Sequence, residues 1–146
     1  MINDDIISKL NFDDYEIILK SLNIENNIKD VPKNLTIGMN HQFLNKEKNG
    51  NDLFVPMALN ILGGDGSNKT KEQLVENSLF KINIVYIVKF KMIDSNINIE
   101  EKEKIIERLA YFLVLPQMKE VVTSAGNKIG VPGLNIPVKC GFKKCQ

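Results

Sequence analysis

The segment that organises the chain spans residues 105–138 and reads IIERLAYFLVLPQMKEVVTSAGNKIGVPGLNIPV. Apolar residues recur in its first half at spacings of three and four, which is typical of an amphipathic helix with one apolar stripe. The predicted stripe consists of Ile105, Ile106, Leu109, Phe112 and Leu113. The patterned segments before it have the period of strands, so we expect this helix to pack on a sheet.

The bounds of the helix are predicted from proline, glycine and capping residues. Pro116 removes one backbone hydrogen bond and crowds the preceding turn, so a kink is expected at residues 112–115. The apolar pattern continues through Met118, Val121 and Val122, so the helix should not stop there. Asn98 is the predicted N-cap with acidic residues in the first turn, and Gly126 or Gly130 is the predicted end.

Three segments before the helix alternate apolar and polar residues, which predicts strands at residues 35–44, 53–61 and 80–92. Residues 15–24 have the β-branched and aromatic content of a further strand, with apolar residues in both registers. Residues 80–92 have the strongest pattern, with seven apolar residues on one face: Phe80, Ile82, Ile84, Tyr86, Val88, Phe90 and Met92. Its second face is partly apolar, because Val85 and Ile87 interrupt the lysines and asparagine there. Pro56 lies in the segment at residues 53–61, which predicts an edge strand or a bulge.

Composition indicates one soluble domain. The chain has 146 residues, of which 43% are hydrophobic and 25% are charged, and such a length can bury a substantial core. The 19 basic and 18 acidic residues leave a net charge of +1, which argues against nucleic acid as the main partner. The N-terminus lacks a signal-peptide pattern and no apolar run reaches about 20 residues, so a cytoplasmic protein without membrane insertion is expected.

Residues suited to catalysis or metal binding are few. His41 is the only histidine, and its position on the apolar side of the second strand favours a structural role. Cys140 and Cys145 in the tail supply at most half a zinc site, and free thiols are the simpler interpretation. We therefore expect no catalytic residues, no metal and no cofactor.

A glycine-rich stretch at residues 63–70, GGDGSNKT, comes close to the phosphate-binding pattern G-x-x-x-x-G-K-[ST]. Asn68 stands where the pattern needs its last glycine, which allows the backbone amides to close on phosphate. The long helix and parallel strand that normally follow are also not predicted. An ordinary polar loop at residues 63–71 is the favoured interpretation, with nucleotide binding as the enzymatic alternative.

A family resemblance rests on the second half of the organising segment. Residues 115–138 contain Leu-Pro, Glu-Val and Ser at 115–116, 120–121 and 124, followed by GVPGLNIPV. These positions resemble the C-terminal half of SecB, the bacterial export chaperone, and the order of strands followed by a proline-containing helix is similar as well. The matching motif residues are Leu115, Pro116, Glu120, Gly130, Pro132, Leu134 and Pro137.

The resemblance implies a fold and a function. It implies an α+β domain in which a four-stranded antiparallel sheet packs against one long, kinked helix, covering residues 1–146 with an N-terminal segment at 1–12 and a basic tail at 139–146. Proteins of this family hold unfolded preproteins in apolar grooves, pass them to the SecA motor and assemble into dimers and tetramers. The expected protein is thus an ATP-independent holdase for unfolded polypeptides, with SecA as a candidate partner in protein export.

The predicted client groove combines the apolar face of the last strand with the helix. Its expected residues are Phe80, Ile82, Ile84, Tyr86, Val88, Phe90, Phe112, Leu115 and Met118. These same residues would equally suit an ordinary core.

Two features depart from the SecB pattern. The chain is near neutral instead of acidic, and only eight residues, three of them lysines, follow Val138. An adaptor dedicated to one partner, such as an antitoxin, is therefore the alternative function.

Overall fold

The computed structural model describes residues 10, 12–30, 32–67, 70–94 and 96–135. Its elements in chain order are β1 (Phe12–Asn26), β2 (Leu35–Phe43), β3 (Glu47–Asn49), β4 (Asp52–Asp65), α1 (Lys71–Glu76), β5 (Phe80–Met92) and α2 (Glu103–Lys128). All four predicted strands and the long helix are confirmed. The structure adds β3 and α1, which are too short for a sequence pattern to reveal.

The strands form one antiparallel sheet in the order β1-β5-β4-β2, and β3 also pairs with β4. β2 and β3 share one side of β4, because β2 pairs with residues 57–65 and β3 with residues 52–54. β4 and β5 are thus the central strands. β1 and β2 are the edge strands of the described sheet.

The prediction that Pro56 marks an edge strand or a bulge is wrong. Pro56 lies in the central strand β4, directly opposite Ile87 and without a register shift. Its carbonyl accepts a hydrogen bond from the Leu44 amide at 2.9 Å, so its nitrogen points to the same side of β4. That side faces the gap between β2 and β3, where no ladder hydrogen bond from residue 56 is required.

The core lies between α2 and one face of the sheet, called here the inner face. The alternate residues of β5 from Phe80 to Met92 are at most 2% exposed, and their inner-face neighbours on β4 are equally buried. From α2 they meet Ile106, Leu109, Ala110, Tyr111, Val114, Met118 and Val122. Phe12 closes one end of the core by stacking on Phe90, with ring centroids 4.5 Å apart.

α2 begins later than predicted. Asn98 caps a separate turn, in which its side-chain oxygen accepts from the Glu101 amide and its carbonyl accepts from the Lys102 amide. The helix itself starts at Glu103, without a side-chain cap. It continues through Pro116 as expected and ends before Gly130, whose φ of 82° suits a glycine.

The predicted apolar stripe of α2 is only partly correct. Ile106 and Leu109 are buried, whereas Ile105 and Phe112 are 45% and 38% exposed. Both exposed residues lie on the side of α2 that faces away from the sheet. None of the helices in the described residues is long and apolar enough to cross a membrane.

The glycine-rich stretch is not a single loop. Gly63, Gly64 and Asp65 belong to β4, and Lys71 is the first residue of α1. Thr70 caps α1 in a reciprocal capping box with Gln73, and Leu74 buries α1 against the outer face of the sheet beside Gly38. Asn68 and Lys69 lie outside the described residues.

Gly63 is required because the Phe80 ring occupies the space of its missing side chain. We expect Gly63→Ala to lower the free energy of unfolding by about 1–3 kcal/mol, since the ring is fully buried and cannot move freely. The matched change Gly38→Ala would meet only the end of the flexible Leu74 side chain, at 2.8 Å. It should stay within about 1 kcal/mol of wild type. Urea unfolding of the two variants measures the difference, and equal stabilities would contradict this packing.

Candidate functional site: two apolar shelves beside the helix

The groove predicted from the sequence is not open in the structure. Eight of its nine residues, namely Phe80, Ile82, Ile84, Tyr86, Val88, Phe90, Leu115 and Met118, are at most 8% exposed in the core beneath α2. Only Phe112 is exposed, and it faces away from the sheet. The expectation of an accessible groove at these eight residues is therefore wrong for this conformation. Client contact by them stays a prediction that would require α2 to leave the sheet.

The inner face of β1 is exposed where the neighbouring strand is buried. Tyr15, Leu19 and Leu22 lie directly opposite Phe90, Tyr86 and Ile84 of β5. The three β1 side chains are 47%, 44% and 40% exposed, whereas their β5 neighbours are at most 1% exposed. α2 therefore covers β5 but leaves much of β1 open. We call this surface the β1 shelf; it consists of Tyr15, Ile17, Leu19, Leu22 and Ile24.

A bulge keeps the β1 shelf on one face. The register shifts between Leu19 and Ser21, so Lys20 has no partner on β5. In an unbroken strand, residues 19 and 22 would point to opposite faces, because side chains alternate. The extra residue restores both leucines to the inner face. No period-two reading of the sequence could have found this surface.

A second partly open surface lies at the opposite edge. The inner-face residues of β2 are half-buried, while the β4 residues opposite all of them except Leu35 are buried. We call it the β2 shelf; it consists of Leu35, Ile37, Met39, His41 and Phe43. Its end carries an aromatic cluster, in which His41 meets the ring edges of Phe43 and Tyr111 at centroid distances of 5.0 and 4.8 Å.

Both shelves lie next to unpaired strand edges. β1 and β2 are the outermost strands of the sheet order, and no strand in the described chain pairs with their outer sides. An unpaired edge presents backbone N–H and C=O groups that an extended chain can bind. Each shelf therefore combines apolar surface with a line of main-chain hydrogen-bonding groups.

Two buried polar atoms lie between α2 and the sheet. Within the described residues, His41 Nε2 and the Tyr86 hydroxyl have no hydrogen-bond partner. Burial lowers the pKa of His41 to about 4, so the imidazole is neutral at pH 7. Burial, assisted by the negative charge of Glu120, raises the pKa of Tyr86. Both side chains are therefore uncharged at pH 7 and are suited to packing more than to proton transfer.

An ion-pair clamp joins α2 to the connection after β2. Lys46 Nζ lies 2.9 Å from Glu103 Oε1 and 2.6 Å from Glu107 Oε2. The lysine side chain is only 8% exposed, and its ammonium lies over the Phe43 ring at 5.7 Å. Burial acts to lower its pKa, but hydrogen bonds to the two glutamates and their charges prevail and raise the pKa overall.

Chemistry for catalysis or metal binding is not assembled around the shelves. Within the described ranges, no group of three or more His, Cys, Asp or Glu side chains converges on one point. In the glycine-rich stretch, the Asp65 carboxylate accepts hydrogen bonds from the Ser67 amide and hydroxyl. These bonds form a local turn at residues 65–67. The tail cysteines lie outside the described residues.

The residues that carried the family resemblance lie in and after the second half of α2. Leu115 is buried, whereas Pro116 and Glu120 are exposed. After the helix, the Val131 amide bonds to the Gly126 carbonyl, and the Leu134 side chain packs beside Gly126. Gly130 supplies the turn that makes this return possible. Pro137 lies outside the described residues.

Comparison with known proteins bears on this architecture. No protein-family model matches the sequence, and the search of curated proteins found no match. Among solved structures, the chain is similar to the SecB-like chaperone Rv1957 of Mycobacterium tuberculosis, in complex with a ChAD peptide from the Rv1956 HigA1 antitoxin. The TM-score is 0.68 at 12% sequence identity, covering 84% of this chain and 86% of that chain.

The chain has a SecB-like fold. This confirms the fold inferred from residues 115–138 and from the order of elements, with five strands in place of the four expected. The similarity spans the sheet and the long helix together, since it covers most of both chains.

Sequence reasoning missed both shelves. It identified apolar faces correctly but could not tell which strands the helix would cover. The shelves could have been found only from the strand order, in which β1 and β2 are outermost. That order depends on the pairing of the strands, which the sequence pattern does not give. His41 was correctly assigned a structural position, although its contact with Tyr111 was not foreseen.

Because the β1 shelf is exposed, truncation to alanine should lower the free energy of unfolding less on β1 than at the paired position on β5. Ile84→Ala should lower the free energy of unfolding by about 2–5 kcal/mol, because it leaves a cavity in the core. Leu22→Ala, directly opposite, should cost less than about 1 kcal/mol. Chemical denaturation of both variants tests this, and a similar loss in Leu22→Ala would show that the shelf is covered.

Burial of His41 predicts a pH-dependent stability. Its pKa is about 4 in the folded chain and about 6.5 when unfolded, so the unfolded state binds more protons between these values. The contribution is fully present above pH 6.5 and is lost as the pH falls towards 4, amounting to about 3 kcal/mol. His41→Phe keeps the aromatic contact and should remove this part of the slope. Unfolding measured across this range in both proteins gives the comparison; parallel curves would contradict the burial.

Proposed function

We propose that this SecB-like protein is a chaperone that binds extended, non-native polypeptide segments on the β1 and β2 shelves, without catalysis and without a cofactor. The observation that carries the proposal is the β1 shelf, where three large apolar side chains are 40–47% exposed beside a free strand edge. Isolated exposed apolar residues are ordinary, but a row of them on one edge strand marks an interaction surface.

Two kinds of contact would add up in the proposed binding, and neither depends strongly on the sequence of the bound segment. An extended segment can add to the edge through main-chain hydrogen bonds, which do not depend on its sequence. Its apolar side chains then gain about 25 cal/mol per Å² of surface buried on the shelf. Folded proteins offer neither an unpaired segment nor such side chains, so selection for non-native chains follows. This supports a holdase with many clients. We further propose that it acts in the cytoplasm in protein export, with SecA as a partner.

Self-association is a further part of the proposal. A second copy of β1 aligned antiparallel about Ile17 would place Tyr15 beside Leu19 and Asp14 beside Lys20 of the other copy. Apolar and opposite-charge pairs of this kind stabilise strand pairing. Ile105 and Phe112 add apolar surface on the outer side of α2. We propose a dimer or tetramer, in which the β2 shelf remains available if β1 pairs with itself.

The second candidate is an adaptor for one dedicated partner. It is favoured by the antitoxin peptide bound to the mycobacterial SecB-like chaperone. Such a partner would present one segment matched to a shelf, so a single protein would bind at fixed stoichiometry. Tests with several unrelated unfolded proteins discriminate the two functions, because an adaptor would protect none of them.

The proposed function predicts that the purified protein, at stoichiometric amounts and without nucleotide, suppresses aggregation of several unrelated unfolded proteins. Leu19→Ser/Leu22→Ser should weaken this suppression by about tenfold in the concentration needed, because two apolar contacts are lost. Met39→Gln tests the β2 shelf in the same way. Light scattering during dilution of the clients from denaturant provides the measurement.

Ile93→Ser is the matched control, since Ile93 is 66% exposed but lies after β5, outside both shelves. It should leave suppression unchanged. Molar mass in solution is measured for every variant, so that loss of self-association at β1 is separated from loss of client binding. Aggregation that proceeds unchanged with the wild-type protein would remove the holdase and leave the dedicated adaptor.

A further inference from the structure

The aromatic end of the β2 shelf is covered by a charged side chain of the protein itself. The Lys46 ammonium lies over the Phe43 ring and is held there by Glu103 and Glu107 of α2. Phe43 is half-buried, although the next residue, Leu44, is exposed. Lys46 thus occupies the space above Phe43 at the end of the β2 shelf.

Only a side chain has to move to uncover this ring. Lysine is long and flexible, and although its side chain is only 8% exposed here, its charged end is held by the two ion pairs. Glu103 is 54% exposed and contributes little, whereas Glu107 is 22% exposed and makes the shorter contact. The backbone around residue 46 can remain in place, since the Leu44 amide stays bonded to Pro56. Opening is therefore a local event that leaves α2 on the sheet.

The uncovered surface suits an aromatic side chain. His41, Phe43 and Tyr111 already meet edge to face, and a further ring can join such a cluster with favourable geometry. A lysine above the ring competes for the same position through its cation–π contact.

We propose that Lys46, held by Glu107 and Glu103, is a movable cap on the aromatic end of the β2 shelf, and that its release admits an aromatic side chain of the bound polypeptide to Phe43. This inference rests on the proposed function and adds a charge-controlled element to its site. The shelf binds apolar segments with the cap closed. Aromatic segments bind it more tightly once the ion pairs are broken.

The test uses two synthetic extended peptides that differ at one position, Phe in one and Ala in the other, in the Leu19→Ser/Leu22→Ser background so that binding reports on the β2 shelf. Lys46→Ala should tighten binding of the Phe peptide about three- to tenfold and leave the Ala peptide unchanged. In the protein with Lys46 intact, raising salt from about 0.05 M to about 1 M should shift the Phe-peptide affinity only part of the way towards that of the variant, because screening acts mainly on the contact with the exposed Glu103. Fluorescence anisotropy measures both.

Charge reversal provides the decisive control. Lys46→Glu should open the cap, and Lys46→Glu/Glu107→Lys should close it and restore the original affinity. Lys48→Ala, on β3 and two residues away, should have no effect. If Lys46→Ala fails to fold, Glu103→Gln/Glu107→Gln releases the same cap.

The binding results distinguish failure of the Lys46 cap from failure of the proposed function. Equal tightening of both peptides, or no change in either, overturns the cap while leaving the shelf as a binding site. Binding of neither peptide to any form overturns the proposed function at this shelf and the cap with it.

Discussion

A single helix is too narrow to cover a four-stranded sheet, and the accessible surface of this protein follows from that mismatch. Strands lie about 4.8 Å apart, so the axes of β1 and β2 are about 14 Å from each other across the sheet. An α-helix with its side chains is about 10–12 Å wide. α2 therefore buries the inner faces of β4 and β5 and leaves those of the edge strands partly open.

The sequence predicts the strands and the long helix, but it does not show which strands the helix covers. Period-two patterns revealed three of the long strands, residue content revealed β1, and the three-to-four spacing revealed α2, because each of these signals is local. Pro56 misled the prediction of strand order, since its missing donor is harmless at the gap between β2 and β3, and that gap depends on long-range pairing. The predicted groove failed for the same reason: an apolar face on β5 is equally consistent with core or groove until the helix position is known. The bulge at Lys20 is invisible to alternation altogether.

The helix–sheet boundary contains polar groups that an optimally stable core would not. His41 Nε2 and the Tyr86 hydroxyl are buried without a partner among the described residues, and each such group costs about 1–3 kcal/mol. Lys46 is also nearly buried, although its two carboxylates compensate it. These groups lie at or near the β2 side and the middle of the interface, where the aromatic cluster is.

An exposed apolar edge strand needs another means of attachment, and β1 has one in its pairing with β5. Three acidic residues of β1 stand opposite three lysines of β5: Asp14 with Lys91, Glu16 with Lys89 and Glu25 with Lys81. None of these three pairs is in ion-pair contact in the described residues, where Lys89 lies 3.9 Å from Asp52 of β4 instead, so their attraction is weak. The arrangement of charges still favours this register, and a shift by one residue would bring the shelf residues to the wrong face. Because the backbone ladder with β5 holds β1 in place, its inner side does not have to be buried, and the leucines there remain available to another chain.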